Sequence, residues 1–216
     1  MKTKRIVSIV TAAVIAVSAA GFSASAVDGV KIDEKNFPDN GFREYVSKKF
    51  DLDENGKLSK NEISEIKGIN VRDTDVESFK GIEYFTELTE LECGAKFIKE
   101  LDLSENTKLM KLDCCLNSLK NLDLSKNTEL TELTCSGNNI EILDLSENTK
   151  LTKLDCSSNL IKNINISNCT ELVSLQCSYN KIEKLDVSGK VGLNYLDCEY
   201  NLLTELDVSD NIELTD

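Results

Sequence analysis

The sequence contains no histidine and no tryptophan, and it has one proline and two methionines among 216 residues. The absence of histidine excludes acid–base catalysis by imidazole and every zinc site that uses histidine. Basic residues are also scarce, since 25 lysines and arginines stand against 38 aspartates and glutamates, a formal net charge of −13. Nucleic acids and anionic membrane surfaces favour basic proteins, so we expect neither as a partner. The acidity can simply maintain solubility, or it can favour cationic partners or calcium.

A 21-residue repeat organises most of the chain. Each unit has a leucine, a second leucine three residues later, a cysteine two residues after that, and then an asparagine. The leading leucines are Leu88, Leu109, Leu130, Leu151, Leu172, Leu193 and Leu214, and the cysteines are Cys93, Cys114, Cys135, Cys156, Cys177 and Cys198. A fixed period of this length is typical of a solenoid.

Each unit holds two short segments in which apolar and polar residues alternate. In the central unit these are centred on Leu133 and Leu143. Alternation of this kind indicates β-strands, and the space between the segments is too short for an ordinary helix. We therefore predict a mainly β solenoid of 21-residue coils, with parallel strands on both sides and Leu, Ile and Cys pointing inward.

The repeat resembles the leucine-rich-repeat family. Its motif L-x-x-L-x-L-x-x-N-x-L is matched by Leu130 to Ile140, with Cys135 in the third leucine position. A 21-residue unit with a cysteine column is similar to the internalin J type, a group of bacterial surface proteins. The resemblance covers residues 66–216, and it implies a solenoid that binds other macromolecules through a strand face.

Residues 1–26 have the features of a secretory signal peptide. Lys2, Lys4 and Arg5 form a positive end, residues 6–20 are mostly apolar, and Ala24 to Ala26 provides small residues for cleavage. The alternative is an uncleaved membrane anchor, but the apolar run is short for a span of about 20 residues. We expect a secreted or cell-surface protein, of bacterial origin by its resemblance, that does not insert into a membrane after cleavage.

The segment 27–65 differs from the repeats. A helix is predicted over residues 39–50, and it leads into a loop with the pattern of an EF-hand calcium site. The oxygen donors expected for Ca²⁺ are Asp51, Asp53, Asn55, Lys57 through its carbonyl, Ser59 and Glu62. Gly56 would allow the sharp turn of such a loop. We expect this helical segment to cover the open end of the solenoid.

A second interpretation of the same loop is structural. Ser59 and Glu62 form a capping box for a short following helix, and an acidic loop can exist only for that purpose. The two interpretations are compatible. One loop is present here, whereas EF-hands usually occur in pairs.

The eight cysteines raise the question of disulfides, which are common in secreted proteins. Residues in register on parallel strands point the same way, about 4.8 Å apart, while a disulfide requires Cβ atoms about 3.8 Å apart. We therefore predict a ladder of buried free thiols, and a straight row also disfavours a tetrahedral metal site. Cys115 and Cys169 lie outside the ladder, and Cys115 is the thiol expected to be accessible.

A possible partner surface is suggested by residues near the end of the chain. Tyr179, Tyr195 and Tyr200 occur in the last two units, beside Asp197 and Glu199. Tyrosine is enriched at interfaces. The tyrosines can equally serve only to cover the last coil.

Two functions of different classes fit these features. The first is a non-enzymatic binding module that recognises a protein or a glycan through a strand face, and the second is a calcium-stabilised spacer or accessory domain of a longer surface protein or enzyme. An enzyme ranks third, because the carboxylates lie on regular open faces. The last coil stops three residues after it begins, so we expect either a longer protein or self-association through that coil.

Overall fold

The computed structural model describes residues 29–72 and 74–215, which form a stack of short coils with one helical end. The predicted signal peptide, residues 1–26, lies outside the described residues. Among those described, no helix is long and apolar enough to cross a membrane.

One side of the solenoid is a parallel sheet of seven strands, each contributed by one coil. Its strands are β3 (Gly68–Asn70), β4 (Glu90–Glu92), β5 (Lys111–Asp113), β6 (Glu132–Thr134), β8 (Lys153–Asp155), β10 (Ser174–Gln176) and β11 (Tyr195–Asp197). The strands align without slippage, so that Leu112 pairs with Leu133 and Leu133 with Leu154. This register puts every second leucine of the motif into one buried row, as the alternation predicts.

The other side is less regular than we predicted. Within the described residues it contains one pair of strands, β7 (Ile142–Asp144) and β9 (Asn163–Asn165). Elsewhere neighbouring coils are joined by single backbone bonds, such as the one from Asn139 N–H to the Leu119 carbonyl at 2.8 Å. We expected strands on both sides. On the first side every coil contributes a strand, whereas on the second side two coils do so.

The interior is a continuous column of leucine, isoleucine, valine and cysteine. Leu133, Leu143 and Cys135 of the central coil are at most 1% exposed. Because each coil contacts mainly its two neighbours, the core is built by stacking rather than by closure around one centre. All eight cysteines are free, and five of the six ladder thiols are buried.

Two columns of asparagine tie the coils together. The first was expected from the motif: Asn138 donates from Nδ2 to the carbonyl oxygens of Cys114 and Cys135, and its Oδ1 accepts the Leu119 N–H. The second column lies on the other side; its members are Asn106, Asn127, Asn148 and Asn211, and Cys169 takes the same position in one coil. Asn127 donates to the carbonyls of Leu103 and Asn106, and its Oδ1 has no partner among the described residues.

The row of aspartates on the second side has a structural use. Asp123 accepts the Ser125 N–H at 3.0 Å, and the equivalent aspartates of the other coils accept the serine two residues later in the same way; they are Asp102, Asp144, Asp186 and Asp207. The side chain thus closes the turn that follows the second segment.

The helical end packs on the first coil. It consists of β1 (Val30–Lys31), α1 (Asn40–Phe50), β2 (Lys57–Leu58) and α2 (Lys60–Glu65), and a 3₁₀ turn at Ile82–Tyr84 follows in the first coil. Phe42 of α1 lies between Phe79 and Phe85, with ring centroids 5.2 and 6.3 Å away. The aromatic cluster covers the core leucines, as expected for the first coil of a solenoid.

Candidate metal centre and partner-binding face

The loop between α1 and α2 brings three carboxylates together. One oxygen from each of Asp51, Asp53 and Glu62 lies within 4.8 Å of the others. Asp51 is buried, Glu62 is half-buried and Asp53 is exposed. Oxygen donors in a tight group are what a hard divalent cation requires, so this loop can hold a metal ion.

Backbone hydrogen bonds hold the loop in shape around Asp51. Its two carboxylate oxygens accept the N–H groups of Asn55 at 3.0 Å and Gly56 at 2.9 Å. Gly56 has a φ of +78°, a conformation that side chains disfavour, and it makes the reversal of the chain possible. The turn itself therefore holds Asp51, the first of the expected metal ligands, in position.

Glu62 is fixed in turn by the beginning of α2. Its carboxylate accepts the N–H of Leu52 at 2.9 Å and of Ser59 at 2.8 Å, while the Ser59 hydroxyl accepts the Glu62 N–H. The capping box expected from the sequence is thus present. The Ser59 N–H, and after it the Ser59 hydroxyl, lower the pKa of Glu62, so the carboxylate stays ionised.

Glu62 can form the capping box and still bind a cation. The two oxygens of its carboxylate offer about four acceptor sites, and the backbone N–H groups of Leu52, Asp53 and Ser59 do not use all of them. Asn55 Oδ1 accepts the Lys57 N–H at 2.9 Å, and Ser59 Oγ is used by the cap. The residues present therefore fit a cation held mainly by Asp51, Asp53 and Glu62, with Asn55, Lys57 and Ser59 arranged in the same loop.

The loop has a strand partner that the sequence did not indicate. Val30 pairs with Leu58 and Lys31 with Lys57 in an antiparallel ladder, and Ile32 N–H donates to the Gly56 carbonyl at 3.0 Å. Leu58 is fully buried. Two EF-hand loops usually support each other, and here β1 gives the single loop a neighbour within the same chain.

The outward face of the seven-stranded sheet divides into two halves. In the first half, Lys111 lies between Glu90 and Glu132, with Nζ–Oε1 separations of 3.9 and 3.8 Å, and Lys153 lies 3.5 Å from Glu132. Charges on neighbouring strands therefore compensate one another. In the second half, the equivalent positions are Ser174 and Tyr195.

Two tyrosines of the last two coils, Tyr179 and Tyr200, stack near this second half. The rings of Tyr179 and Tyr200 stack with centroids 4.4 Å apart and planes 15° from parallel. They remain 56% and 66% exposed, and Tyr195 is 39% exposed. Asp197 Oδ2 accepts the Ser178 hydroxyl at 2.8 Å. The five residues singled out by sequence thus lie in two adjoining coils, while the supporting Ser178 was not expected.

Comparison with known proteins adds to this geometry. No protein-family model and no curated protein matches the sequence. Among solved structures, the functional domain of InlJ from Listeria monocytogenes, which includes a cysteine ladder, is 28% identical, with a TM-score of 0.53 over 86% of this chain and 51% of that one. This chain therefore spans about half the length of that domain.

Two further internalins from Listeria monocytogenes have the same fold. Internalin C2 is 20% identical, with a TM-score of 0.63 over 88% of this chain and 96% of that one. The internalin InlF is 21% identical, with a TM-score of 0.53 over 88% and 77%. With its 21-residue coils, parallel sheet and column of buried cysteines, the chain has the leucine-rich-repeat fold of these internalins, and it is similar to the InlJ domain in its cysteine ladder.

Proposed function

We propose that the protein is a secreted or cell-surface binding module, without enzymatic activity, that recognises a protein or a glycan through the outward face of its seven-stranded sheet. The observation that carries this proposal is the contrast between the two faces of the strands. The inward positions repeat leucine and cysteine in nearly every coil, whereas the outward positions change from Glu90 to Lys111 to Tyr195. A rigid support with a varied surface is suited to recognition.

The likeness to internalins supports the same proposal. It is consistent with a chain whose residues 1–26 are removed on export, whose residues 27–65 cap the solenoid, and whose residues 66–216 present the face. The carboxylates of the second side favour binding over catalysis, because those such as Asp123 are already used by turn hydrogen bonds.

Calcium would have a supporting role in this proposal. Asp51, Asp53 and Glu62 connect the end of α1 to the start of α2, and α1 covers the first coil. An ion held there would fix the helical end rather than contact the partner. The cation would therefore affect stability more than recognition.

Photocrosslinking can test which face is used. A benzophenone side chain placed at position 174 would lie on the outward face of the seven-stranded sheet, and one at position 163 would lie on the exposed second side as a matched control. The native extracellular fraction is the bait, treated beforehand with protease or with periodate to distinguish a protein from a glycan. We expect a discrete product from position 174 and none from position 163.

One observation favours the alternative of a spacer or accessory domain. The first half of the face is internally neutralised by its Glu90, Lys111, Glu132 and Lys153 ion pairs, and such a surface has little left for a partner. Equal labelling from positions 174 and 163 would refute face-specific binding and support the spacer. A product that joins two copies of this chain would support self-association through the last coil.

A further inference from the structure

A column of left-handed residues runs along the edge of the seven-stranded sheet. In the six regular coils the residue at one fixed position of the repeat has a φ between 52° and 68°; these residues are Ala95, Leu116, Gly137, Ser158, Tyr179 and Tyr200. The backbone requires this conformation, because the Tyr179 N–H donates to the Glu199 carbonyl and the Ser158 N–H to the Ser178 carbonyl in the next coil. The fold favours glycine at such positions, so it gives no reason for two tyrosines.

The open space beside the tyrosines lies within this column. One face of the Tyr179 ring stacks on Tyr200, so its other face is directed to the preceding coil, where Ser158 is small. One coil further, the Leu116 side chain extends over Gly137, since a Cβ on that glycine would be 2.8 Å from Leu116 Cδ2. A gap therefore separates the Leu116 side chain from the Tyr179 ring, and Ser158 lies at the bottom of this gap.

The charge beside the tyrosine pair is negative and unpaired. Glu199 precedes Tyr200, and Asp197 is oriented by Ser178 Oγ at 2.8 Å. Among the described residues, no lysine or arginine forms an ion pair with either carboxylate. This differs from the first half of the face, where Lys111 compensates Glu90 and Glu132.

We propose that the patch formed by Tyr179, Tyr195, Tyr200, Asp197 and Glu199 binds a basic, arginine-bearing segment of a protein partner. This proposal rests on the proposed function, because it uses the same face of the solenoid. A guanidinium is flat, so it stacks on an aromatic ring while its N–H groups bind a carboxylate. The net charge of −13 also attracts a cationic segment toward the molecule.

The choice of a basic peptide over a glycan follows from the carboxylates. A neutral sugar would stack on Tyr179 equally well, but it would leave the charges of Asp197 and Glu199 without compensation as water is displaced. A cation gains from both the ring and the charges. The prediction is therefore that binding depends on tyrosine, on carboxylate and on salt together.

Synthetic peptides provide a direct test. The probe is a fluorescent twelve-residue peptide of glycine and serine with four arginines, compared with peptides that carry lysine or the neutral isostere citrulline instead. Fluorescence anisotropy should show tighter binding for arginine than for lysine, none for citrulline, and weakening as salt is added. The double variant Tyr179→Ser and Tyr200→Ser, which copies the residue at position 158, should weaken binding about tenfold.

Matched variants separate specific recognition from general attraction to an acidic protein. Phe97→Ser removes an 80% exposed aromatic residue with a similar left-handed φ of 57° from the first regular coil, far from the patch, and should leave the affinity unchanged, while Glu199→Gln should reduce it. Unaltered thermal midpoints would show that the variants are folded. Equal affinities for the wild type and the double tyrosine variant, or equal binding of citrulline and arginine peptides, would overturn the proposal.

The outcomes also distinguish this proposal from the broader one. Glycan-array binding that is lost in the tyrosine variant but is insensitive to Glu199→Gln and to salt would replace the basic segment by a sugar. Face-specific crosslinking from position 174 would then still hold. Loss of that crosslinking would instead remove the binding function itself.

Discussion

The side-chain amide of Asn138 donates a hydrogen bond to the Cys114 carbonyl at 3.0 Å and so joins two successive coils. The same amide reaches Cys135 within its own coil, and Oδ1 accepts the Leu119 N–H at 3.0 Å. With a longer bond to the Ser136 carbonyl, this one buried residue contacts four backbone groups of two coils.

Asn138→Ala should destabilise the protein by at least about 2 kcal/mol, because it leaves several buried backbone groups without partners. Denaturant unfolding measures this loss. Asn139→Ala is the control, since Asn139 is exposed and its backbone bond to Leu119 is retained. Similar losses from the two variants would show that the asparagine column is not a principal link between coils.

Lys190→Asn should stabilise the protein. Lys190 occupies a position in the second asparagine column, it is 1% exposed, and its Nζ contacts the Ser188 carbonyl at 3.4 Å. Asparagine there would donate to two backbone carbonyls, as Asn127 does, and substitutions toward a repeat consensus commonly add about 0.5–2 kcal/mol. The thermal midpoint should rise, whereas the reverse change Asn127→Lys should lower it. A fall for Lys190→Asn would show that this coil needs the longer side chain.

The cysteine ladder should remain reduced and unreactive in the folded protein. Burial raises the pKa of Cys177 to about 12, and burial with a hydrogen bond to Asp113 raises that of Cys115 to about 11. Alkylation of the folded protein at about pH 8 should modify only Cys115 and Cys198, which are half-buried, and slowly, because little thiolate is present.

Denaturing, non-reducing alkylation with mass spectrometry then completes the cysteine experiment. All eight cysteines should become labelled. A disulfide between Cys114 and Cys135 would contradict the geometric argument from parallel strands. Cys115→Ser serves as the control, and it should remove one of the two sites labelled in the folded state.

Calcium should raise the thermal midpoint of the wild type. Ligand binding stabilises by RT ln(1 + [L]/Kd), about 2.7 kcal/mol at a hundredfold excess over Kd, and extracellular calcium modules often have a Kd of about 10⁻⁴–10⁻³ M. Modest stabilisation at millimolar calcium is therefore expected. Glu62→Gln should lose the response because it removes a carboxylate ligand while preserving the size of the cap.

The calcium experiment compares each protein in CaCl₂ and in chelator. Glu65→Gln is the matched control, since Glu65 is an exposed residue of α2 outside the carboxylate cluster. It should respond like the wild type. If the wild-type midpoint is the same in both solutions and calorimetry detects no heat of binding, the loop acts only as a helix cap.

Acid should weaken the turns of the second side. Hydrogen bonds from Ser125 lower the pKa of Asp123, and those from Ser188 and Ser209 lower the pKa values of Asp186 and Asp207. A lowered pKa in the folded state means that the stabilisation is complete above the unfolded pKa of about 3.9 and is lost as the pH falls below it.

The combined replacement of Asp123, Asp186 and Asp207 by Asn tests this acid dependence. Asn165 already occupies the equivalent position in one coil, and its Oδ1 accepts the Ser167 N–H at 3.3 Å, so the turns should persist. Unfolding at a series of pH values should show a shallower decline below about pH 4 for the variant. An unchanged decline would attribute the acid sensitivity to other carboxylates.

The sheet could be predicted from sequence because its determinants are local and repeated. Leu112, Leu133 and Leu154 alternate with polar neighbours, and a slip by one residue would expose all of them. The second side was predicted too regularly. Its segments have the same alternation of apolar and polar residues. That alternation predicts which side chains are buried, such as Leu143, but it does not predict how many hydrogen bonds join neighbouring strands.

The parts that were missed depend on contacts between distant residues. The pairing of Val30 with Leu58 has no signature in two-residue strands, and Lys96 takes an asparagine position while its ammonium reaches the Thr74 and Arg72 carbonyls. The second asparagine column was not among them, since Asn106, Asn127 and Asn148 recur every 21 residues and Cys169 replaces asparagine at the same position. The stacking of Tyr179 on Tyr200 could be found from their equal positions in successive coils, together with the left-handed conformation.

The in-register stacking of the coils also makes the solenoid a molecular ruler. The carboxylate loop lies at one end and the Tyr179–Tyr200 pair lies near the other. Each coil adds about 4.8 Å along the axis. Gain or loss of one 21-residue unit would therefore change the separation between the two ends by one fixed step and leave the chemistry of each end intact.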